Sequence, residues 1–590
     1  MRDSFDVVIC GAGMAGLTLA RQIRQQHPNA SIAAIDKTSR PLPVAAHKVG
    51  ESSVELGSQY LERLGLREYL ETKHILKFGL RFYPGGGELP LEQRTEIGPS
   101  SEPIVQSYQI DRGIFESDLR AMLEEDGVTL LEGHTVTEVE LCPGDEPHRI
   151  RAEGPEGERT LSARWLIDAT GRAAFLRRKL KLTRRTRHSA SSGWFRVKGK
   201  LDVNDLVPKE VSGWHDPDFA SERWRSTNHL MGPGYWLWII PLSSGNTSVG
   251  VVAHSEYHDF KRLQTLERLR EFIAEHEPVL AKHLLEREVL DFLCIRDYSH
   301  TLGRCWSADR WGVVGEAGAF VDPLYSPGND FIALANSFTE ELIRVDLAGE
   351  DLETRTRELN IQYRVLVAGA LDIFRDAAPI YGHAPAMLAK IYWDNFAYWT
   401  FLCQYYLRGL YRLSGKEHTV QVEAGQRIFE VSNYVQALLR QWALIAPHEP
   451  EARFEDVPAF PSLLVDTHMA LQDDMTPDET LEYIRRRAVE AEEIAGELLV
   501  RVVSRLGETK ARELVSNLSI ERWKIRIGTD RIRSEKEKGL ARRRALSSVA
   551  RDVERALGRS TPITSEEQML QLLGPLLVDD EAPARARAGA

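Results

Sequence analysis

The run Phe5-Asp6-Val7-Val8-Ile9-Cys10-Gly11-Ala12-Gly13-Met14-Ala15-Gly16 decides the fold. Its first half is a short apolar, β-branched stretch that reads as a strand. Glycines at 11, 13 and 16 follow at once, and Leu17, Leu19, Ala20 and Ile23 then fall at helical spacing. A second strand, expected over Ser31 to Ile35, runs into Asp36, 20 residues past Gly16. Strand, glycine turn, helix and acid at these offsets are the parts of a dinucleotide site. Gly11 permits the tight turn, Gly13 lets the backbone approach a pyrophosphate, and Gly16 allows close helix–strand packing. The helix N-terminus then faces the phosphates with free N–H groups and the positive end of its dipole. Asp36 is placed to accept hydrogen bonds from the adenosine ribose. The pattern leaves open whether the dinucleotide is FAD or a nicotinamide.

The chain around this motif has 590 residues, 43% hydrophobic and 27% charged. Those proportions exclude a fibrous, globally disordered or disulfide-stapled protein. A net charge of −12 excludes a chain built as a whole to neutralise nucleic-acid phosphates. The five cysteines are scattered without a Cys-x-x-Cys pair, so neither a metal site nor a disulfide framework is expected. No targeting segment or membrane span is expected, and the cytoplasm is the expected location.

Two regimes follow along the chain. Residues 1–345 alternate β-rich runs, such as Val128 to Leu131, Trp165 to Asp168, Tyr235 to Pro241, Thr247 to Ala253 and Trp311 to Val314, with helical periodicity. After Gly349-Glu350-Asp351 helical patterns dominate: Thr354 to Phe374, Pro385 to Leu413, Thr419 to Leu444 and Asp478 to Arg505. The expected class is α/β: a Rossmann-like lobe with a mixed, substrate-side β-sheet (1–345), then a mostly helical C-terminal domain (346–520). A charged helical extension with a frayed tail (521–590) completes the expected organisation. The Arg/Lys-rich stretch Arg522 to Arg544 reads first as a solvated helix face.

Three further segments select the flavin. Trp165-Leu166-Ile167-Asp168-Ala169-Thr170-Gly171-Arg172 is a strand entering a glycine turn. Gly315-Glu316-Ala317-Gly318-Ala319-Phe320-Val321-Asp322-Pro323 resembles the GDAG…DP element of FAD-dependent hydroxylases and halogenases. Glu316 stands there for the usual Asp at the ribityl chain. Gln109-Ile110-Asp111-Arg112-Gly113-Ile114-Phe115 resembles a helix start in the same superfamily whose Arg, here Arg112, contacts the cofactor.

Trp236-Leu237-Trp238-Ile239-Ile240-Pro241 matches the WxWxIP signature of flavin-dependent halogenases. Alone, two Trp at i and i+2 are more often ordinary core; on a strand they share one face and can form an aromatic wall. Three more stretches resemble the phenol and pyrrole branch of that family: His47-Lys48-Val49-Gly50-Glu51-Ser52, Leu76-Lys77-Phe78-Gly79-Leu80-Arg81-Phe82, and Asp322-Pro323-Leu324-Tyr325-Ser326-Pro327-Gly328. The resemblance covers roughly residues 5–345. It implies that FADH2 and dioxygen form a flavin hydroperoxide, that chloride or bromide takes its distal oxygen, and that the hypohalous acid is relayed to a lysine facing an electron-rich aromatic substrate. Lys77 is the expected lysine, with Lys48 and Lys73 as competitors, and Ser326 the expected link between lysine and flavin. Gly11, Gly13, Gly16, Asp36, Glu51, Arg112, Glu316, Asp322 and Gly328 are the expected cofactor residues. Trp236 and Trp238 are the barrier keeping substrate from flavin.

Two departures stand out. Tyr325 replaces the Glu that tryptophan-specific members carry before the Ser, which disfavours free tryptophan and points to a phenol or pyrrole. Pro327 has no N–H, so Gly328 and Asn329 are left to hold halide; alternatively the proline only stiffens the loop. The implied partners are a separate flavin reductase and a small aromatic substrate, free or carried on a protein. The alternatives are a halogenase-like monooxygenase, dehydrogenase or reductase without halogenating activity, and a non-catalytic flavin-binding protein. The aromatic cluster from Tyr392 to Tyr406 reads as helical core before pocket, and Asp394 within it as a polar anchor without an assigned role.

Overall fold

The computed structural model describes residues 3–43, 49–446, 451–459, 461–518 and 548–557. His47, Lys48 and the basic stretch 522–544 lie outside them.

The opening run forms the strand Ser4–Cys10, and the helix Met14–Gln26 follows directly. The strand pairs in parallel with Ile32–Asp36 on one side and with Gly157–Asp168 on the other. The main path of the first, eight-stranded sheet runs Trp306–Ser307, Trp311–Val313, Gly157–Asp168, Ser4–Cys10, Ile32–Asp36, Thr129–Glu132, parallel except for the first pair. His148–Gly154 and Thr135–Glu140 branch from Gly157–Asp168 in antiparallel pairing. Val7, Val8 and Ile9 are at most 1% exposed, as expected of a strand covered on both faces. The fingerprint helix buries Leu17, Leu19, Ala20 and Ile23 against the sheet.

A second, eight-stranded sheet runs Val289–Ile295, Ala190–Val197, Thr247–His254, Tyr235–Pro241, Thr227–Gly232, Leu80–Tyr83, Thr95–Gly98, Arg453–Asp456. Its members pair antiparallel, except that Thr227–Gly232 pairs in parallel with Leu80–Tyr83 and Arg453–Asp456 with Thr95–Gly98. Period-2 alternation on Tyr235–Pro241 divides its side chains between two cores. Tyr235, Leu237 and Ile239 enter a smaller core under the helix Leu266–His276. Trp236, Trp238 and Ile240 face the main core.

From Leu352 onward the chain is mostly helical, with long helices Leu352–Phe374, Gly415–Ile445 and Pro477–Arg505. Thr476 caps the last of these in a full capping box, and Pro477 occupies its first turn. The expected helix from Pro385 to Leu413 is broken up. It runs as Ala384–Ala397, passes through a π-helical turn at Tyr398–Cys403 and ends near Leu407. The helical part also supplies the edge strand Arg453–Asp456, where Asp456 accepts hydrogen bonds from the Ser100 N–H at 3.0 Å and its hydroxyl at 2.6 Å. Among the described residues no helix is long and apolar enough to cross a membrane. No His/Cys/Asp/Glu group among them is arranged to hold a metal ion.

Candidate functional site

A cavity of about 540 Å³ opens at the carboxyl ends of Ser4–Cys10 and Ile32–Asp36. That is the crevice where ligands of such sheets bind, and its size is in the range of small-molecule sites. Gly11, Gly13, Asp36, Glu51, Arg112, Glu316, Asp322, Ser326, Gly328, Asn329, Trp236 and Trp238 all line it. Gly16 does not; its task is packing, since a Cβ there would lie 1.9 Å from the Gly11 carbonyl oxygen. Gly11 has φ +110°, and a Cβ on it would meet the Ala169 oxygen at 2.3 Å. The N-cap of the fingerprint helix is Gly13, which brings no side chain to the helix N-terminus where it meets the cavity.

The acidic residues around the cavity differ in what holds them. Asp36 accepts from the Ala12 N–H at 2.7 Å and the Thr38 N–H at 2.8 Å. Glu51 is 2% exposed and pairs with Arg196 at 2.6 Å, while Arg196 also binds Asp291. Burial raises the Glu51 carboxyl despite that guanidinium. Arg112 spans the Val49 carbonyl and the Glu116 carboxylate, and Glu116 in turn accepts the Met14 N–H at 3.2 Å. Asp322 is anchored by His188 Nε2 at 2.7 Å and the Tyr298 hydroxyl at 2.5 Å. Burial would raise its carboxyl, but the His188 contacts and the Tyr298 hydroxyl hold it below the usual range.

The loop after Asp322 is backbone-strained. Tyr325 and Ser326 take φ +67° and +61°, consecutive left-handed conformations on residues with a Cβ. The loop then enters the 20-residue helix Gly328–Leu347 at Pro327, which no side chain caps. Gly328 and Asn329 thus stand in the first turn of a long helix whose N-terminus meets the cavity.

Lys77 is fully buried and donates to the Ser53 carbonyl at 2.8 Å. It lies behind the cavity wall: Ser52 and Asn329 line the cavity, Asn329 Nδ2 donates to the Ser52 carbonyl at 3.3 Å, and adjoining Ser53 turns its carbonyl to the amine. Burial pulls the Lys77 ammonium down to about 7, against the attraction of Glu55 and Asp330. Asp330 shows the reverse effect. Burial pushes it up to about 7, although it accepts from the Gly57 N–H and the Tyr398 hydroxyl, each at 2.9 Å. Glu55 has His468 Nε2 3.3 Å away, and this contact keeps its carboxyl low against the opposing effect of burial. Of the competing lysines, Lys73 is exposed at the end of its helix.

Sequence reasoning missed Asp330, Glu55, His229 and Tyr398 as neighbours of this lysine. Asp330 stands four positions past Ser326, so the loop motif could have reached it; Tyr398 and His468 come from the helical part and carry no motif. His229 is buried, and desolvation lowers it to about 3, so its ring is neutral. It stacks on Phe82 with centroids 4.6 Å apart and lies 5.6 Å from the Trp236 ring. Phe82 meets Tyr325 edge-on at 5.8 Å. An aromatic wall therefore runs from the Trp pair to the strained loop. Behind Tyr325, Asp394 binds Lys390 at 3.0 Å and Gln436 at 2.7 Å. The Tyr392 to Tyr406 cluster is core, and none of it lines the cavity.

This fold is shared with solved flavoproteins. Halogenase PltM, in a crystal structure with phloroglucinol and FAD, superposes with a TM-score of 0.60 over 83% of this chain and 96% of that one, at 13% identity. A flavoprotein/dehydrogenase from Cytophaga hutchinsonii gives 0.52 at 22% identity, over 65% of this chain and 88% of its own. In sequence, a flavin-dependent halogenase of Dictyostelium discoideum is 28% identical over 443 residues, 70% of this chain and 72% of the relative. A 1H-pyrrole-2-carbonyl-[peptidyl-carrier protein] chlorinase of Pseudomonas fluorescens is 25% identical over 349 residues, 55% of this chain and 72% of the relative. The tryptophan halogenase family model matches residues 90–456. The chain belongs to that family, and its enzymatic class is FAD-dependent oxidoreductase.

Proposed function

We propose that this enzyme halogenates an electron-rich aromatic substrate, phenol- or pyrrole-like, with Lys77 as the residue that meets both oxidant and substrate. The observation that carries the reading is the placement of Lys77. Its amine is fully buried, shares a site with two carboxylates, and sits directly behind the cavity wall formed by Ser52 and Asn329.

The cavity fits FAD by its own features: a helix N-terminus with the glycines Gly11 and Gly13 beside it for the diphosphate, and Asp36 for the ribose. Bound and reduced, FAD supplies with dioxygen the oxidising equivalent that makes chloride or bromide electrophilic. The protein's own contribution is separation and charge. Trp236 and Trp238, their rings 5.8 Å apart, keep a bulky ring out of the cavity. The N–H groups of Gly328 and Asn329, at the positive end of a 20-residue helix, offer a halide the donors that Pro327 lacks. Lys77, drawn down to about 7, has both ammonium and free amine available near neutrality. The first form donates a hydrogen bond to hypohalous acid; the second is a nucleophile for halogen. When the amine takes the halogen, the O–X bond breaks and the departing hydroxide leaves as water with the amine proton; Asp330, raised to about 7, is the nearby carboxyl able to relay that proton. Ser326, on the cavity side of the loop, is positioned to hydrogen-bond the oxidant on its way.

The test supplies purified protein with FAD, a separate flavin reductase, NADH, dioxygen and chloride or bromide, over a panel of phenols, pyrroles and carrier-tethered pyrroles. A halogen isotope pattern in product, lost in Lys77→Ala with FAD binding kept, is the expected result. Oxygenated or desaturated product independent of halide would overturn it.

A further inference from the structure

The 33 residues from 169 to 201 contain no Asp or Glu, although the chain carries −12 overall. Eight Lys and Arg fall between Arg172 and Arg187. Seven of them are exposed, Arg177 is half-buried, and none forms an ion pair with a carboxylate among the described residues. Other strongly exposed cations do find partners, as Arg149 does with Glu140 at 3.3 Å and Lys198 with Glu288 at 3.0 Å. Eight neighbouring cations without one cost self-repulsion.

Their place in the fold gives that cost a use. Arg172 and Phe175 line the cavity mouth with Glu316 and His300. The strand Thr183–Arg185 pairs antiparallel with His300–Leu302, setting Arg185 directly opposite His300. Arg177 faces Asp168, Glu316 and His300. The basic strip is therefore continuous with the rim of the cavity through Arg172 and through Arg185 opposite His300.

We propose that this strip is an electrostatic capture surface for the diphosphate of incoming flavin, drawing the dinucleotide from solution toward the helix N-terminus at Gly13. The inference rests on the reading that the cavity holds FAD. An enzyme fed by diffusing reduced flavin gains from faster encounter, and a focused field of one sign raises association rates ~10- to 1,000-fold at low salt. The ligand is a small polyanion, and at low ionic strength the field of these exposed cations reaches ~20–30 Å into solution.

The test is stopped-flow quenching of FAD fluorescence by the apo-protein. The triple variant Arg184→Glu, Arg185→Glu, Arg187→Glu is compared with the charge-preserving Arg184→Lys, Arg185→Lys, Arg187→Lys. Expected is an association rate at least about tenfold slower for the Glu variant at ~20 mM ionic strength, within about threefold of wild type at ~500 mM, with dissociation little changed and the Lys variant near wild type. Three results would overturn the proposal. One is wild-type association that does not respond to salt. Another is a Glu variant whose dissociation accelerates as much as its association slows, which marks damage to the site. The third is unaltered FAD association combined with slower turnover only when a reductase or acidic carrier protein delivers its cargo, which assigns the strip to a protein partner. Failure of wild-type apo-protein to bind FAD would instead remove the cofactor reading itself.

Discussion

Replacing Lys77 with Met removes a charge that the fold holds at a loss. In the unfolded chain the amine titrates near 10.5; in the folded protein, burial brings it to about 7. Between those values the unfolded chain binds more protons than the folded one, so the wild type gains stability as pH rises through that window and is penalised below it. At ~1.4 kcal/mol per tenfold change in proton affinity, the penalty is about 5 kcal/mol well below pH 7, about 4 at pH 7 and about 2 at pH 9. Met keeps the volume of the chain and carries no charge. It forfeits the hydrogen bond to the Ser53 carbonyl, about 1–2 kcal/mol at every pH. Lys77→Met should therefore be the more stable protein near pH 7, and its advantage should shrink by about 2 kcal/mol on going to pH 9. Asp330 acts in the same sense. Without the nearby ammonium its carboxyl rises further, so the variant loses stability over pH 7–9 where the wild type gains it. Urea unfolding of both proteins at pH 7 and pH 9, followed by tryptophan fluorescence, measures the difference. An advantage that is constant with pH, or grows toward pH 9, refutes the assignment of Lys77 as a buried, destabilised base.

Asp330→Asn takes away an attraction that helps keep Lys77 protonated, so the acid limb of the kcat/KM profile should move to lower pH; movement to higher pH would reject the pairing. Asp394→Ala strands the fully buried Lys390 amine without its carboxylate 3.0 Å away; a loss of about 3–5 kcal/mol in urea unfolding is expected, largely restored when Lys390→Met is added. Gly11→Ala places a methyl group 2.3 Å from the Ala169 oxygen at φ +110°. FAD affinity, read by fluorescence titration, should fall at least about tenfold, and an unchanged affinity would detach the turn from the cofactor.

What the sequence disclosed and what it hid follow from how far apart the contributing residues lie. The strand, glycine turn and helix from Phe5 to Ile23 are local: period, turn residues and offsets suffice, the strand is Ser4–Cys10, and Leu17, Leu19, Ala20 and Ile23 all fall inside the helix Met14–Gln26. The Trp236 and Trp238 wall was equally legible, because alternation on one strand fixes which face each side chain takes. Ala190–Val197 and Thr227–Gly232 went unread, since their Ser, Gly, Asn and His dilute the apolar signal. They are strands because antiparallel partners on one or both sides hold them.

The site around Lys77 shows the same limit from the chemical side. A motif named the lysine, but its charge state is set by burial first, and then by the opposing attraction of Glu55 from one helix and Asp330 from another, whose carboxylate accepts the Tyr398 hydroxyl at 2.9 Å. Tyr398 is 68 residues from Asp330 in sequence and belongs to the π-helical turn that breaks the expected long helix. That turn is thus no defect of an aromatic core: it begins at the residue whose hydroxyl reaches back to the carboxylate beside the amine. The helical part also supplies His468, stacked on Trp399 with centroids 4.2 Å apart and 3.3 Å from Glu55. Two carboxylates that bear on Lys77 are therefore each held by a ring from beyond residue 390. Severing either contact, by Tyr398→Phe or His468→Leu, should alter the titration of Lys77 without touching the residues that line the cavity, and in that sense the helical half belongs to the surroundings of this lysine.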